Sequence, residues 1–81
     1  MRNVNLTLDE SRQYSDLIGE RYTINRRLTT RNRELRLPTV ANPVTDSDRA
    51  NRASILAHIV TEKGRLSVVN KAIRAFNKTH P

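Results

Sequence analysis

Apolar residues recur every three or four positions in two long stretches of the chain, and a polar segment with two prolines separates these stretches. In the first stretch the apolar positions are Tyr14, Leu17, Ile24, Leu28 and Leu35. In the second stretch they are Ile55, Ile59, Leu66, Val69, Ile73 and Phe76. At about 100° per residue, each set lies on one face of an α-helix. The pattern therefore predicts an all-α protein with two long amphipathic helices.

The limits of both helices follow from capping residues and prolines. Thr7 and Glu10 have the spacing of a capping box, in which each side chain bonds the backbone amide of the other residue. Pro38 and Pro43 restrict the residues before them and predict a stiff, extended connection. The predicted elements of this single domain are an extended arm at 1–7, a first helix at 8–36, a connection at 37–45, a second helix at 46–78 and a tail at 79–81.

Two helices joined by a short connection fold back on each other, so we expect an antiparallel two-helix hairpin. If the helix ends are level, the residue numbers of facing positions add up to about 82. Arg21 and Glu62 each interrupt an apolar stripe, and in this register they lie within reach of each other. An ion pair in a helical seam fixes the register more than it adds stability. We therefore predict a structural Arg21–Glu62 pair.

The chain is short for a protein that folds alone. Its 81 residues bury a smaller fraction of their surface than a larger domain does, and a lone hairpin is marginally stable. Four apolar residues lie off the predicted seam and need cover from a second copy or another protein: Ile18, Leu56, Val60 and Val68. We expect a homodimer or a constitutive complex that completes a bundle, with Leu56 and Val60 as the apolar partner face.

Charge is the strongest sign of a partner. The chain has 15 Lys and Arg against 8 Asp and Glu, which gives a net charge of +7 and favours nucleic acid or an acidic protein surface. Arg26 and Arg33 point away from the apolar face of the first helix. On the second helix, Lys63, Lys71, Arg74 and Lys78 fall within about 80°. Such spacing suits contacts to adjacent phosphates, so these six residues are the candidate binding residues.

A structural explanation of the same charges remains open. In both helices the acidic residues come early and the basic residues come late, which complements the helix dipole. The arginines of residues 21–36 also scatter around the first helix and do not form a single stripe. This arrangement is typical of solvated helix ends as well as of a binding surface.

No pattern in the sequence indicates an enzyme, a cofactor or a metal site. The chain has no cysteine and no phosphate-binding glycine loop. His58 lies at the edge of the second apolar stripe, where we expect a partly buried structural histidine, and His80 is in the tail. We also expect no membrane segment, because no apolar run has the length of a bilayer span, and a cytoplasmic location.

Two functions therefore stay open. In the first, a small basic helical protein docks on nucleic acid or a nucleoprotein. In the second, an adaptor or inhibitor, of the kind that phages and mobile elements encode, blocks a protein complex in the host cytoplasm. The two differ in salt dependence, because phosphate contacts release counterions and apolar contacts do not.

The opening residues RNVNLTLDES, followed by a helix that contains Gly19, resemble the start of a ribbon–helix–helix DNA-binding domain. The resemblance covers residues 1–36 and implies that a paired strand presents Asn3, Asn5 and Thr7 outward. It leaves the second predicted helix without a counterpart.

Overall fold

The computed structural model describes residues 6–80 and contains three helices in this part of the chain. They are α1 at Leu8–Glu34, α2 at Pro38–Ala41 and α3 at Asp46–Thr79. No strand occurs within residues 6–80, so the all-α prediction is confirmed. Most of the predicted arm, including Asn3 and Asn5, lies outside the described residues.

Both long helices begin at a capping box. The Thr7 hydroxyl accepts a hydrogen bond from the Glu10 amide at 3.1 Å, and the Glu10 carboxyl accepts one from the Thr7 amide at 2.9 Å. Thr45 and Asp48 repeat this arrangement at the start of α3. Each box satisfies amides that have no partner within the helix, and the acidic residues also oppose the positive end of the helix dipole. Thr7 is therefore used as a cap in this structure.

The two long helices pack against each other and run antiparallel. Their register differs from the predicted one, in which the ends of the two helices are level. Three facing pairs show it: Arg27 with Glu62, Tyr14 with Phe76, and Glu10 with His80. Their residue numbers add up to 89 or 90, against the expected value of about 82. The partner of a given α1 residue is thus displaced by about eight residues, or about 12 Å along α3.

Helix α2 explains the displacement and corrects the predicted connection. Residues 38–41 are not extended, because Pro38 takes the first position of a short helix, where its missing amide proton costs nothing. Val40 on this turn is only 1% exposed and packs against Ile55 and Ile59. Arg52 donates a hydrogen bond to the Val40 carbonyl at 2.9 Å. The first turns of α3 therefore extend past the end of α1 and are covered by α2.

The core consists of two clusters that Leu28 joins. Ile24, Val69 and Ile73 form the first cluster, and the partly buried residues around it are Tyr14, Leu17, Ile18, Leu28 and Leu66. Val40, Ile55 and Ile59 form the second, with Leu28 and Leu35 against it. Ile59 belongs to the second cluster, because the register places it near the connection. Ile18, expected to need a partner, packs against the first cluster.

Several apolar side chains of the described region stay exposed. On α3, Leu56 is 40% exposed, Val68 67% and Val60 71%. His58 is also exposed, so the expectation that it is partly buried is wrong. Within residues 6–80, none of the helices has both the length and the apolar character of a membrane span.

Candidate nucleic-acid interface

The six basic residues singled out in the sequence are all exposed: Arg26, Arg33, Lys63, Lys71, Arg74 and Lys78. None of them forms an ion pair with a carboxylate of residues 6–80. The arginines that do form such pairs are Arg27, Arg31, Arg49 and Arg65. The candidate residues are thus among the cations whose charge is not neutralised by a neighbouring carboxylate in this part of the chain; Arg12, Arg21, Arg36 and Arg52 also form no ion pair there.

Acidic residues of α1 are concentrated on one flank. Asp9, Asp16, Glu20 and Glu34 fall within about 40° on the helical wheel, and Arg27 lies among them. Arg27 reaches across to Glu62 of α3, which also pairs with Arg65. Glu20 and Arg65 line one shallow groove between the helices. We call this side of the helix pair the acidic side.

The opposite side of the pair, the basic side, is built from the other flanks of both helices. Measured around α3 from Ile73, which faces α1, Arg65 lies about 80° toward the acidic side. Lys63 lies about 80° and Arg74 about 100° in the other direction. The α1 flank that adjoins them contains Arg21 and Asn25 and no acidic residue. Combining both helices therefore produces a one-sided charge distribution that neither helix has alone.

The other two candidate lysines, Lys71 and Lys78, lie farther from Ile73 around the axis of α3. Lys78 lies about 140° and Lys71 about 160° from Ile73, which puts Lys71 on the outer face of α3, away from α1. Along the helix pair, Lys63 is level with Arg27, whereas Lys71 and Lys78 lie beside the first half of α1. The structure therefore brings Lys63 and Arg74 to the basic side and separates Lys71 from Arg26 and Arg33.

The outer face of α1 adds a feature that the sequence analysis missed. Tyr22 is 63% exposed, and the guanidinium carbon of Arg26 lies 5.8 Å from the centroid of its ring. Two shallow depressions adjoin this pair. One of them is lined by Tyr22, Asn25, Arg26, Thr29, Thr30 and Arg33. The signal was present as the four-residue spacing of Tyr22 and Arg26, which places them one above the other on a helix.

The predicted partner of Glu62 is corrected. Its Oε1 atom lies 3.6 Å from Nη1 of Arg27 and 3.6 Å from Nη1 of Arg65, and no Arg21–Glu62 pair occurs within residues 6–80. The reason is the register, which moves Arg21 toward Val69. Glu62 itself is buried, with 8% of its surface exposed, and its Oε2 atom has no hydrogen-bond partner.

His80 has a partner that the tail position did not suggest. Its ring stacks on Phe76 with centroids 4.0 Å apart, and its Nε2 atom contacts the Glu10 carboxylate at the start of α1. The pKa of His80 is raised, mainly by its hydrogen bond to the Phe76 carbonyl and secondly by its hydrogen bond to the Glu10 carboxylate. The pKa of Glu10 is lowered to about 2, mainly by the hydrogen bond from the Thr7 amide and secondly by the hydrogen bond with His80. This contact joins the free ends of α1 and α3.

Comparison with protein-family models, with curated proteins and with solved structures gives no match. The described residues contain no group of three or more side chains suited to hold a metal ion. The geometry of the charged surface is therefore the basis on which a function is proposed.

Proposed function

We propose that the protein binds nucleic acid, alone or within a nucleoprotein, through the basic side and the outer face of α1. One observation carries the proposal. The six candidate cations have no carboxylate partner within residues 6–80, and Lys63 and Arg74 lie on the side of the helix pair opposite the acidic residues of α1's flank. A helix-dipole explanation accounts for acids early and bases late in each helix, but it does not require this division into two sides.

The shape of the molecule suits a linear polyanion. The helix pair measures 57 × 18 × 15 Å. At 3.4 Å per step, this length corresponds to about 17 base pairs. Lysine and arginine side chains along the rod contact phosphates, and each contact releases counterions. This binding mode needs no cofactor and no catalytic group.

Salt titration of variants tests the proposal. Affinity for a labelled DNA duplex of about 20 base pairs is measured by fluorescence anisotropy between about 50 and about 200 mM salt. Replacing Lys63 and Arg74, the two candidate cations of the basic side, by Gln should weaken binding about equally for all sequences. It should also flatten the salt slope by about one unit per lost contact. Replacing Arg26 and Arg33 by Gln should flatten it by about two units.

A matched control distinguishes the effect of the positions of the cations from the effect of the net charge. The Arg31→Gln, Arg49→Gln double variant also removes two charges, but both arginines are paired with carboxylates of their own helices. We expect a much smaller change of slope. Affinity that is unchanged after all four residues of the test variants are neutralised would eliminate nucleic-acid binding as the function.

The exposed apolar surface of α3 supports a second candidate, an adaptor or inhibitor that occupies a protein partner. Leu56 and Val60 lie on α3 between the basic side and the outer face, and Val60 is 71% exposed. The core is small, with seven buried apolar residues in the described chain. A second copy or a partner that covers Leu56 and Val60 would add apolar burial, which is the dominant stabilising term.

Substitutions on this surface distinguish the candidates. Leu56→Asn and Val60→Asn, which add no charge beside the basic side, should abolish self-association or partner binding and leave salt-dependent DNA affinity intact. Light scattering of the wild type should show a dimer if a second copy of the chain covers Leu56 and Val60. A monomer that unfolds cooperatively above about 65 °C without any partner would contradict the need for cover.

A further inference from the structure

The outer face of α1 has the composition of a surface that contacts bases. Tyr22, Asn25, Arg26, Thr29 and Arg33 fall within about 100° on the helical wheel. Together with Thr30 they line one depression, and we call these six residues the reading face. The face contains no acidic residue. Arginine can bond both acceptors of guanine, and asparagine can bond adenine in the same two-point manner.

Local contacts restrict the side chains of this face. Thr29 donates a hydrogen bond to the Asn25 carbonyl at 3.0 Å, and Thr30 donates one to the Arg26 carbonyl at 3.1 Å. The Arg26 guanidinium lies over the Tyr22 ring, with its carbon 5.8 Å from the ring centroid, within the range of a cation–π interaction. An arginine held in this way loses less side-chain freedom on binding than a free one.

The dimensions match one groove of duplex DNA. An α-helix fits the major groove, which is about 12 Å wide. From residue 22 to residue 33 the helix advances about 16 Å, or about five base pairs. Lys63 and Arg74, on the adjoining basic side, can then contact the flanking backbone. The major groove of RNA helices is too deep and narrow for side chains, and one exposed tyrosine does not provide the successive aromatic platforms of a single-strand binder.

We propose that the reading face of α1 enters the major groove of duplex DNA and selects sequence, with Asn25, Arg26 and Arg33 as the base-contacting residues. This inference rests on the proposed function, because the phosphate contacts supply most of the affinity. It adds sequence selection to that affinity and assigns it to a different surface from Lys71 and Lys78.

Charge-conserving variants test the inference. The full chain is used to select from a random-sequence duplex pool, and affinity for the selected and unselected duplexes is then compared. The wild type should enrich a motif of about five base pairs. Arg26→Lys, Arg33→Lys and Asn25→Ala should each reduce the preference for that motif by about 5- to 100-fold, without changing the salt slope. Arg31→Lys and Asn51→Ala, outside the reading face, should leave the preference intact.

The outcomes are separable. Salt-dependent binding to every duplex with no enriched motif would overturn the reading face and leave nucleic-acid binding standing. Absence of binding at low salt would remove both proposals. Tighter binding to single-stranded DNA or RNA of the same composition, lost in Tyr22→Ala, would replace groove reading by base stacking. Circular dichroism of each variant confirms that the helices are retained.

Discussion

Glu62 is expected to cost more stability than it contributes. Its carboxyl group lies between the two long helices, and Oε2 is buried without a hydrogen-bond partner. Leaving a buried polar atom unsatisfied costs about 1–3 kcal/mol. The distances to Arg27 and Arg65, both 3.6 Å, are too long for hydrogen bonds. Because these arginine side chains are 54% and 58% exposed, each ion pair contributes about 0–1 kcal/mol.

Replacing Glu62 by Leu should therefore stabilise the fold. A buried leucine side chain contributes about 1.5–3 kcal/mol, and the substitution removes the unsatisfied atom while it loses two weak ion pairs. After allowing for imperfect packing of the branched side chain, we expect a gain of about 2 kcal/mol. This value lies within the range of about 1–4 kcal/mol for replaced buried ion pairs. For a domain of this size, it corresponds to a rise in Tm of about 8–16 °C.

Thermal unfolding followed by circular dichroism at neutral pH measures the change. Thr61→Leu is the matched control, because residue 61 is an exposed neighbour on α3 and reports only the higher helix propensity of leucine. The reasoning is refuted if Glu62→Leu leaves Tm unchanged or lowers it while Thr61→Leu does not. In that case the two ion pairs would be worth more than their geometry indicates.

Two further predictions concern the helices themselves. Gly19→Ala and Gly64→Ala should each stabilise the protein by about 0.5–1 kcal/mol in urea unfolding, because both glycines are helical and an added Cβ meets no atom within 4 Å. A loss of stability in either variant would contradict the open space around that glycine. Stability should also depend on the Glu10–His80 contact. The raised pKa of His80 adds stability that is complete below about pH 6.5 and is lost as the pH rises through the folded-state pKa. The lowered pKa of Glu10 adds stability that is complete above about pH 4.5 and is lost as the pH falls toward about 2. Tm should thus be highest between about pH 4.5 and 6.5, and His80→Gln should remove the decline on the alkaline side; an unaltered pH profile in that variant would rule out the contact as its source.

Helix positions could be predicted from the sequence because their signals are local. Apolar periodicity gave two long helices, and the Thr7–Glu10 spacing gave the start of α1. The observed start at Leu8 and the capping box agree with it. Periodicity and caps depend on residues within a few positions of each other, so no knowledge of the packing was needed.

The register could not be predicted in this way, because it depends on one turn of helix in the connection. Pro38 was interpreted as a helix breaker, although proline is also favoured at the first position of a helix. Burial of Val40 decides between the two roles, and burial is a tertiary property. Because the register differs from the predicted one, Arg27 takes the place of Arg21 as the partner of Glu62, and His80 contacts Glu10. These differences share one cause.

The charged surface shows the same limit. Helical wheels identified the six candidate cations, but each wheel described one helix alone, and the arginines of the first helix therefore looked scattered. The division into an acidic and a basic side depends on which flank of α1 lies beside which flank of α3. The contacts of Glu62 with Arg27 and Arg65 show this arrangement. The Tyr22–Arg26 pair, in contrast, was accessible from the sequence and was missed because its two members were considered separately.

Helix α2 also changes how this chain can tolerate insertions and deletions. Connections between helices usually accept changes of length, because they lie on the surface and carry few contacts. Here the four residues of α2 hold α3 at a fixed height against α1, through Val40 and the Arg52 hydrogen bond. A residue added or lost between Glu34 and Asp46 would slide one helix along the other and exchange the partners of every seam residue. The connection is therefore the segment in which a change of length alters the core and both faces of the molecule together.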